Sequence, residues 1–176
     1  MMDGATPIAV ESTVDGERLD LLRSVETFLG GRMRWEGRVR GAFGLIDRRF
    51  KIHSEGDLSD GVLHFRERLE FDDGVTEQRR WRLGVKEGAI WLSADGVELL
   101  EPGRLTATKL ELVYRLKIAG VKFRYEDTFE ISPNGVVRNA GEVKFLGASV
   151  MKIEATGARV APSQSDALKA AGAPPT

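Results

Sequence analysis

Four charged residues fall on the apolar faces of segments in which polar and apolar residues alternate. Glu67 is in phase with the apolar residues of GVLHFRERLEF, and Asp127 is in phase with those of VKFRYEDTFEI. Arg48 and Arg79 occupy similar positions beside Phe and Trp residues. Because an unpaired buried charge is costly, these residues either pair with one another or line a wet cavity that holds a polar ligand head. A β-bulge, which would shift the phase and turn them outward, is the third possibility.

Aromatic residues on the same faces could form the walls of such a cavity. Tyr114, Tyr125 and Trp81 each combine an apolar ring with a hydrogen-bonding group. The same side chains would serve equally well as core packing. The ligand-binding residues predicted from the sequence are Arg48, Phe50, Glu67, Arg79, Arg80, Trp81, Tyr114, Tyr125 and Asp127. No catalytic residue is assigned.

Other kinds of site receive little support from the sequence. The two histidines, His53 and His64, fall on polar faces, so neither a haem nor a metal site is predicted. Asp72 and Asp73 precede a glycine, which indicates a turn rather than a cation site. The glycines of WEGRVRGAFG lie in a strand pattern and predict bends, not a phosphate loop. No cofactor is therefore expected.

The composition limits the class of protein and its partners. The chain has 176 residues, of which 41% are hydrophobic and 30% are charged, as in one globular domain. The formal net charge of -1 argues against nucleic-acid binding. The chain has no cysteine, which excludes disulfides, thiolate metal sites and a lipid-modified cysteine. Its acidic N-terminal segment resembles neither a signal peptide nor a membrane span, so a cytoplasmic location is expected.

One amphipathic helix is predicted ahead of the strands. In the segment 20–29 the apolar residues recur at helical spacing. Asp20 is a suitable N-cap for this helix, and Gly30 is suited to its C-terminal end.

The two ends of the chain lack any hydrophobic periodicity. Residues 1–13 predict a flexible arm. Residues 161–176 are rich in Ala, Pro and Ser and predict a disordered tail. A single folded domain is therefore expected over residues 14–160.

From Arg34 onward the hydrophobic period is two, which is typical of β-strands. The turn signals between the strands include Asp72-Asp73-Gly74, Glu87-Gly88, Asp95-Gly96 and Pro133-Asn134-Gly135. We count about ten strands with no helix between them, so the sheet must be antiparallel. A closed up-and-down barrel of the lipocalin or calycin type is favoured over a sandwich. The hairpins are nearly all sequential, and closure removes exposed sheet edges.

Several motifs occur in an order that resembles a known bacterial family. The order is WEGRVRGAFG, DRRF, the strand that contains Glu67, FDDG, RRWRL, YEDTFEI and NAGEVKFLG. Over about residues 28–156 it is similar to the domain of unknown function 3833 family, whose members look lipocalin-like. The positions that match are Arg49, Phe50, Glu67, Asp73, Gly74, Arg80, Trp81 and Asp127. The resemblance implies a calycin-type barrel and no established activity. Many members look like lipoproteins, whereas this chain has no cysteine.

The leading hypothesis is a barrel that binds a small apolar or amphipathic molecule in its interior, with Arg48, Arg79 or Arg80 at an acidic head. One alternative is an isomerase or lyase in which Glu67 or Asp127 acts as a general base. Another is a packed barrel that serves only as an interaction module. A carboxylate that faces a ligand-sized cavity without an arginine partner would favour the enzyme over the carrier. The sequence indicates neither the ligand nor an oligomeric state.

Overall fold

One helix and ten strands make up residues 11–161, the part of the chain that the computed structural model describes, with side chains from residue 16 onward. The helix α1 spans Glu11–Leu29. The strands are β1 (Gly31–Gly41), β2 (Asp47–Ser59), β3 (Val62–Phe71), β4 (Thr76–Lys86), β5 (Ala89–Ala94), β6 (Val97–Leu105), β7 (Lys109–Ile118), β8 (Val121–Ile131), β9 (Val137–Phe145) and β10 (Ala148–Arg159). A single 3-10 turn, Ala42–Gly44, lies between β1 and β2. The predicted arm and tail fall mostly outside the described residues, at 1–10 and 162–176.

The strands form one closed antiparallel barrel, as the alternation and the turn signals predicted. Each strand pairs with its neighbours in sequence, and β1 pairs with β10 to close the sheet. Closure gives every strand a partner on both sides, although β5 and β6 are joined in register only at Ile90 and Gly103. The β2–β3 hairpin shows how the turn residues act: Asp60 and Gly61 have φ of 50° and 69°, which a primed two-residue turn requires.

In the strands that carry the four inward charges, the alternation of inward and outward residues is not interrupted. The ladders that join β2 to β3, β3 to β4, β7 to β8 and β8 to β9 contain no register shift. Bulges occur instead in β6, between Leu99 and Arg104, and in β10, between Ser149 and Met151. Counting by two therefore gives the correct face on β2, β3, β4 and β8. No bulge turns the four charged residues of these strands outward.

The helix closes one end of the barrel, which we call the helix end. Leu22, Val25 and Phe28 of α1 are almost completely buried and belong to the same core as the barrel interior. The side chain of Arg159, at the end of β10, donates hydrogen bonds to the carbonyl oxygens of Glu26 and Thr27 at 3.0 and 3.2 Å. The Glu26 carbonyl also accepts from the Gly30 backbone N–H at 2.7 Å, so Arg159 adds a second bond there and one to Thr27 at the helix C-terminus, and packing and hydrogen bonds together fix α1 in place.

The helix is longer than the sequence predicted. It begins at Glu11 rather than at Asp20, so the N-cap assigned to Asp20 is wrong, and residues 11–13 are helical rather than part of a flexible arm. The first nine residues, ESTVDGERL, are mostly polar and include Gly16, so they carry no amphipathic period that a sequence pattern could detect. Its predicted end at Leu29 is confirmed. No helix in residues 11–161 is both long and apolar enough to cross a membrane.

Candidate functional site

A cavity of about 440 Å³ occupies the interior of the barrel. At the helix end its lining residues, such as Leu29 and Leu83, are buried. At the opposite end, which we call the mouth, its lining includes Ile46 and Ile118, whose side chains are about 40% exposed. The cavity therefore opens at the mouth. Its volume lies within the range of sites that hold one small molecule, which excludes a fully packed barrel.

Aromatic rings form much of the wall. Tyr114 on β7 and Tyr125 on β8 stack at 5.3 Å between ring centroids, with an angle of 9° between the ring planes. Trp81 on β4 meets Tyr114 edge to face at 5.7 Å. Trp35 and Phe129 make a similar edge contact at 6.2 Å. These rings hold one another in defined positions, so the wall is formed before any ligand enters.

Glu67 on β3 is the first of two acids on this wall. The indole N–H of Trp81 donates a hydrogen bond to its carboxyl group at 2.7 Å. Burial raises the pKa of the Glu67 carboxyl above its ordinary value, although the Trp81 hydrogen bond and the positive charge of Arg79 act against this. Glu67 is thus an acid that holds its proton more tightly than an exposed glutamate does.

Asp127 on β8 is the second acid and is only 8% exposed. It accepts a hydrogen bond from the Tyr114 hydroxyl at 2.6 Å and another from the side-chain amide of Asn139 at 3.3 Å. Burial raises the pKa of Asp127, and these hydrogen bonds act in the opposite direction. Gly141 makes room for the carboxyl group, since a Cβ there would lie 2.5 Å from Asp127 Oδ1.

Neither acid forms an ion pair with an arginine among the described residues. Arg79 instead pairs with Glu77, two positions earlier on the same face of β4, at 2.6 Å. Arg48 pairs with Asp73 at 2.7 Å. Of the alternatives drawn from the sequence, the one in which these four charges pair with one another is therefore wrong for the described residues. Glu67 lies directly opposite Arg79 in the β3–β4 register, yet the Arg79 guanidinium pairs with Glu77 and the Glu67 carboxyl group accepts from the Trp81 indole. Both acids therefore take neutral donors, from Trp81 and Tyr114.

Arg48 presents an unused donor near the cavity. Its guanidinium lies 3.9 Å above the ring of Phe71 and pairs with Asp73. Its Nε atom is buried and has no hydrogen-bond partner among the described residues. A buried donor without a partner is uncommon in folded proteins, and an anionic group in the adjacent cavity would satisfy it.

The Asp72-Asp73-Gly74 turn holds Arg48 in this position. Asp73 accepts a hydrogen bond from the Val75 backbone N–H at 3.1 Å as well as from Arg48. Asp72 accepts one from the backbone N–H of Arg49 at 3.2 Å. Gly74 adopts a φ of 85°, which favours glycine. The turn thus links the β3–β4 hairpin to β2, in addition to reversing the chain.

Eight of the nine residues predicted for the site line the cavity. They are Arg48, Phe50, Glu67, Arg79, Trp81, Tyr114, Tyr125 and Asp127. Arg80 does not: it is exposed and pairs in register with Arg66 on the outer face. Successive residues of a strand point to opposite faces, so an interior place for Arg79 and Trp81 excludes one for Arg80. The role of the eight in binding stays a prediction.

Sequence reasoning missed Asn139. This residue lines the cavity and holds Asp127. It lies on the same face of β9 as Val137, Gly141 and Val143, two residues apart, and this period of two would have placed it inside. Both histidines, by contrast, are exposed, as their polar faces predicted.

Comparisons with known proteins bear on the family and on the fold. A family model described as "Protein of unknown function (DUF3833)" matches residues 14–157, in agreement with the resemblance seen in the sequence. No curated protein matches the chain. The S-type phycobiliprotein lyase CPES from Guillardia theta is similar in structure, with a TM-score of 0.55, 8% identity and coverage of 88% of this chain and 100% of that one. A redesigned β-barrel, mFAP1, bound to DFHBI, has a TM-score of 0.45, 12% identity and coverage of 78% and 99%.

Proposed function

This chain belongs to the DUF3833 family, and from its geometry we propose that it binds one small amphipathic molecule with an anionic head inside the barrel. The observation that carries the proposal is the cavity of about 440 Å³ that opens at the mouth. A barrel of this size can enclose a single small ligand. The cavity is lined mainly by apolar and aromatic side chains with a few polar groups, as ligand sites generally are.

The apolar body of the ligand would lie against the aromatic wall. Trp81, Tyr114 and Tyr125 offer ring faces and edges that are already fixed by contacts with one another. Burial of this apolar surface supplies the main driving force. Because the rings do not have to be ordered on binding, the protein side chains lose little conformational entropy when the ligand binds.

The anionic head would lie near the mouth, beside the two arginines. The Nε donor of Arg48 lacks a partner among the described residues, and Arg79 is half-buried beside the cavity. A carboxylate, sulfonate or phosphate can accept charge-assisted hydrogen bonds from such groups. Glu67 lies opposite Arg79 in the β3–β4 register, but its carboxyl group is hydrogen-bonded to the Trp81 indole and not to the guanidinium, so the orientation of the head rests on the two arginines.

A second candidate function is an isomerase or lyase, which the unpaired acids favour. Neither Glu67 nor Asp127 has an arginine partner among the described residues, and burial raises the pKa of each carboxyl. A carboxyl group with a raised pKa can exchange a proton with a bound molecule near neutral pH. Its test is a carbon-13 titration of the side-chain carboxyls, because an acid that ionises at its ordinary pKa would not support this role.

The binding proposal is tested with three probes that share one tail: decanoate, decanol and decylamine. We expect decanoate to bind most tightly and decylamine least tightly in calorimetric titrations. The Arg79→Gln variant should lose about ten-fold in decanoate affinity, the worth of a charged hydrogen bond, and little in decanol affinity. Arg80→Gln is the matched control, because it makes the same change on the outer face of the same strand. Equal losses in both variants would contradict an interior site for the head.

A further inference from the structure

The exposed apolar side chains of this barrel concentrate at its mouth. Of the ten large hydrophobic residues exposed in the described part of the chain, eight lie in the mouth connections. Phe43 is 98% exposed, Leu146 is 91% exposed and Leu45 is 85% exposed. Single exposed hydrophobic residues are ordinary, but a concentration of them at one site marks an interaction surface.

The β1–β2 and β9–β10 turns at the mouth contain apolar residues where the β2–β3 and β4–β5 turns at the helix end have acidic ones. Asp60 and Glu87, in the turns at the helix end, adopt positive φ just before a glycine. Phe43 and Leu146 adopt the same conformation before a glycine at the mouth, with φ of 63° and 48°. Asn and Asp suit this backbone best. A leucine or phenylalanine there is both strained and solvent-exposed, so local folding does not account for it.

The charge of the mouth is divided between two groups of hairpins. Three connections, at residues 40–49, 117–122 and 144–152, contain seven basic residues and one acidic residue; we call them the basic hairpins. The other two, at residues 70–77 and 94–98, contain six acidic residues and no basic one. All the exposed apolar residues of the mouth except Val75 lie in the basic hairpins.

The basic hairpins are neighbours around the rim. The β1–β2 hairpin adjoins the β9–β10 hairpin because β1 pairs with β10, and the β7–β8 hairpin follows because β8 pairs with β9. Phe123 and Phe145 join the last two at 5.6 Å between ring centroids. Lys117 and Lys152 form no ion pair within residues 16–161. The apolar tips and the basic side chains therefore form one continuous surface on one side of the cavity opening.

We propose that the basic hairpins dock the mouth onto a bilayer that contains anionic lipids. Phe43, Leu45 and Leu146 would enter the apolar boundary of the bilayer, while Lys117 and Lys152 would meet lipid phosphates. Apolar burial combined with attraction to anionic headgroups is how interfacial segments bind membranes. The acidic hairpins lie opposite the β9–β10 hairpin around the rim and are joined to the other two basic hairpins by the Arg48–Asp73 and Lys122–Glu98 pairs; the bilayer repels them, so the side of the rim with Lys117 and Lys152 is the one that docks.

Docking in this orientation turns the cavity opening toward the lipids. A ligand could then pass between the bilayer and the cavity without crossing water; this consequence, unlike the docking itself, rests on the proposed function. In a two-fold mouth-to-mouth dimer that matched basic hairpins to acidic ones, Phe43, Leu45 and Leu146 would face acidic residues; this argues for an anionic bilayer rather than a second copy of the chain. Self-association is one of the outcomes that the following experiment distinguishes.

The test is flotation of the full chain with two kinds of vesicle, phosphatidylcholine alone and phosphatidylcholine mixed with phosphatidylglycerol. We expect binding to the mixed vesicles, at least ten-fold weaker binding to the neutral ones, and loss of binding at high salt. The Phe43→Asn/Leu146→Asn variant should lose at least ten-fold in affinity for mixed vesicles. Asn suits the positive-φ backbone, so this variant should fold at least as well as the wild type.

The matched control is Asp60→Asn/Glu87→Asn, which places the same residue in the equivalent turns at the helix end and should bind vesicles like the wild type. Three results would each overturn the docking proposal: no vesicle binding by the wild type, equal binding to neutral vesicles, or unchanged binding by Phe43→Asn/Leu146→Asn. A different result would assign the surface to a second copy of the chain: the wild type sediments as a dimer and does not bind vesicles, and Phe43→Asn/Leu146→Asn sediments as a monomer. Titration of Phe43→Asn/Leu146→Asn with decanoate separates failure of the docking proposal from failure of the cavity proposal, because the two substitutions leave the cavity unchanged.

Discussion

The indole N–H of Trp81 and the carboxyl group of Glu67 form a hydrogen bond of 2.7 Å inside the barrel, in which a neutral donor satisfies a buried acid. Tyr114 does the same for Asp127 at 2.6 Å. A neutral partner stabilises a charged carboxylate less than an arginine does. Burial consequently prevails, and the pKa of each acid is raised.

Replacing Glu67 by glutamine tests this balance through its pH dependence. The pKa of the Glu67 carboxyl is raised in the folded state above its ordinary value of 4.5. The folded state therefore binds the proton more tightly, and the stability this contributes is present below pH 4.5 and lost as the pH rises through the raised value. Glutamine keeps an acceptor for Trp81 and does not titrate.

Between about pH 4 and about pH 7.5, we expect the free energy of unfolding of the wild type to fall by about 1 kcal/mol or more relative to that of Glu67→Gln. Urea denaturation at the two pH values measures this difference. Glu70→Gln, on the outer face of the same strand, should change the free energy of unfolding by less than about 0.5 kcal/mol at either pH. The raised pKa would be refuted if the wild type became more stable relative to Glu67→Gln as the pH rises.

Arg159 is expected to be necessary for full stability because it anchors the helix to the barrel. Its side chain donates to the carbonyls of Glu26 and Thr27. Arg159→Ala should lower the free energy of unfolding by about 1–2 kcal/mol, from the lost hydrogen bonds and the charge at a helix C-terminus. Arg104→Ala, which removes only a surface pair with Glu111, should cost less than about 0.5 kcal/mol. Equal losses by chemical denaturation would contradict the anchoring role.

Gly56 is expected to be the strand position least tolerant of a side chain. A Cβ there would lie 2.2 Å from the carbonyl oxygen of Leu29, so the end of α1 would have to move. Gly56→Ala should cost about 1–3 kcal/mol, as overpacking generally does. Gly16→Ala is the contrasting case, because no atom lies within 4 Å of its Cβ and alanine favours a helix by up to about 1 kcal/mol. Thermal denaturation of the two variants should thus show shifts of opposite sign.

The sequence was sufficient to predict the barrel and the inner face of its strands. Alternation placed Glu67 and Asp127 inside because the strands that carry them have no bulge. It also placed Arg79 inside, and the same rule, applied one residue later, would have placed Arg80 outside.

The partners of these residues could not be predicted in the same way. The hydrogen bond from Trp81 to Glu67 depends on the register between two strands and on side-chain rotamers, which a hydrophobic pattern does not contain. The pair between Arg79 and Glu77 was available from their spacing on one strand. The exposure of Phe43 and Leu146 was not, since apolar residues beside a turn glycine more often pack inward.

Native mass spectrometry of the full chain with decanoate tests the central claim, that the cavity is the binding site, most directly. Ile52 lines the cavity on β2, and His53 follows it on the outer face. Wild type and His53→Trp should each retain one decanoate per chain. Ile52→Trp should lose it, because the larger ring occupies the ligand's space. A decanoate adduct retained equally by all three proteins, or absent from the wild type, would contradict the account.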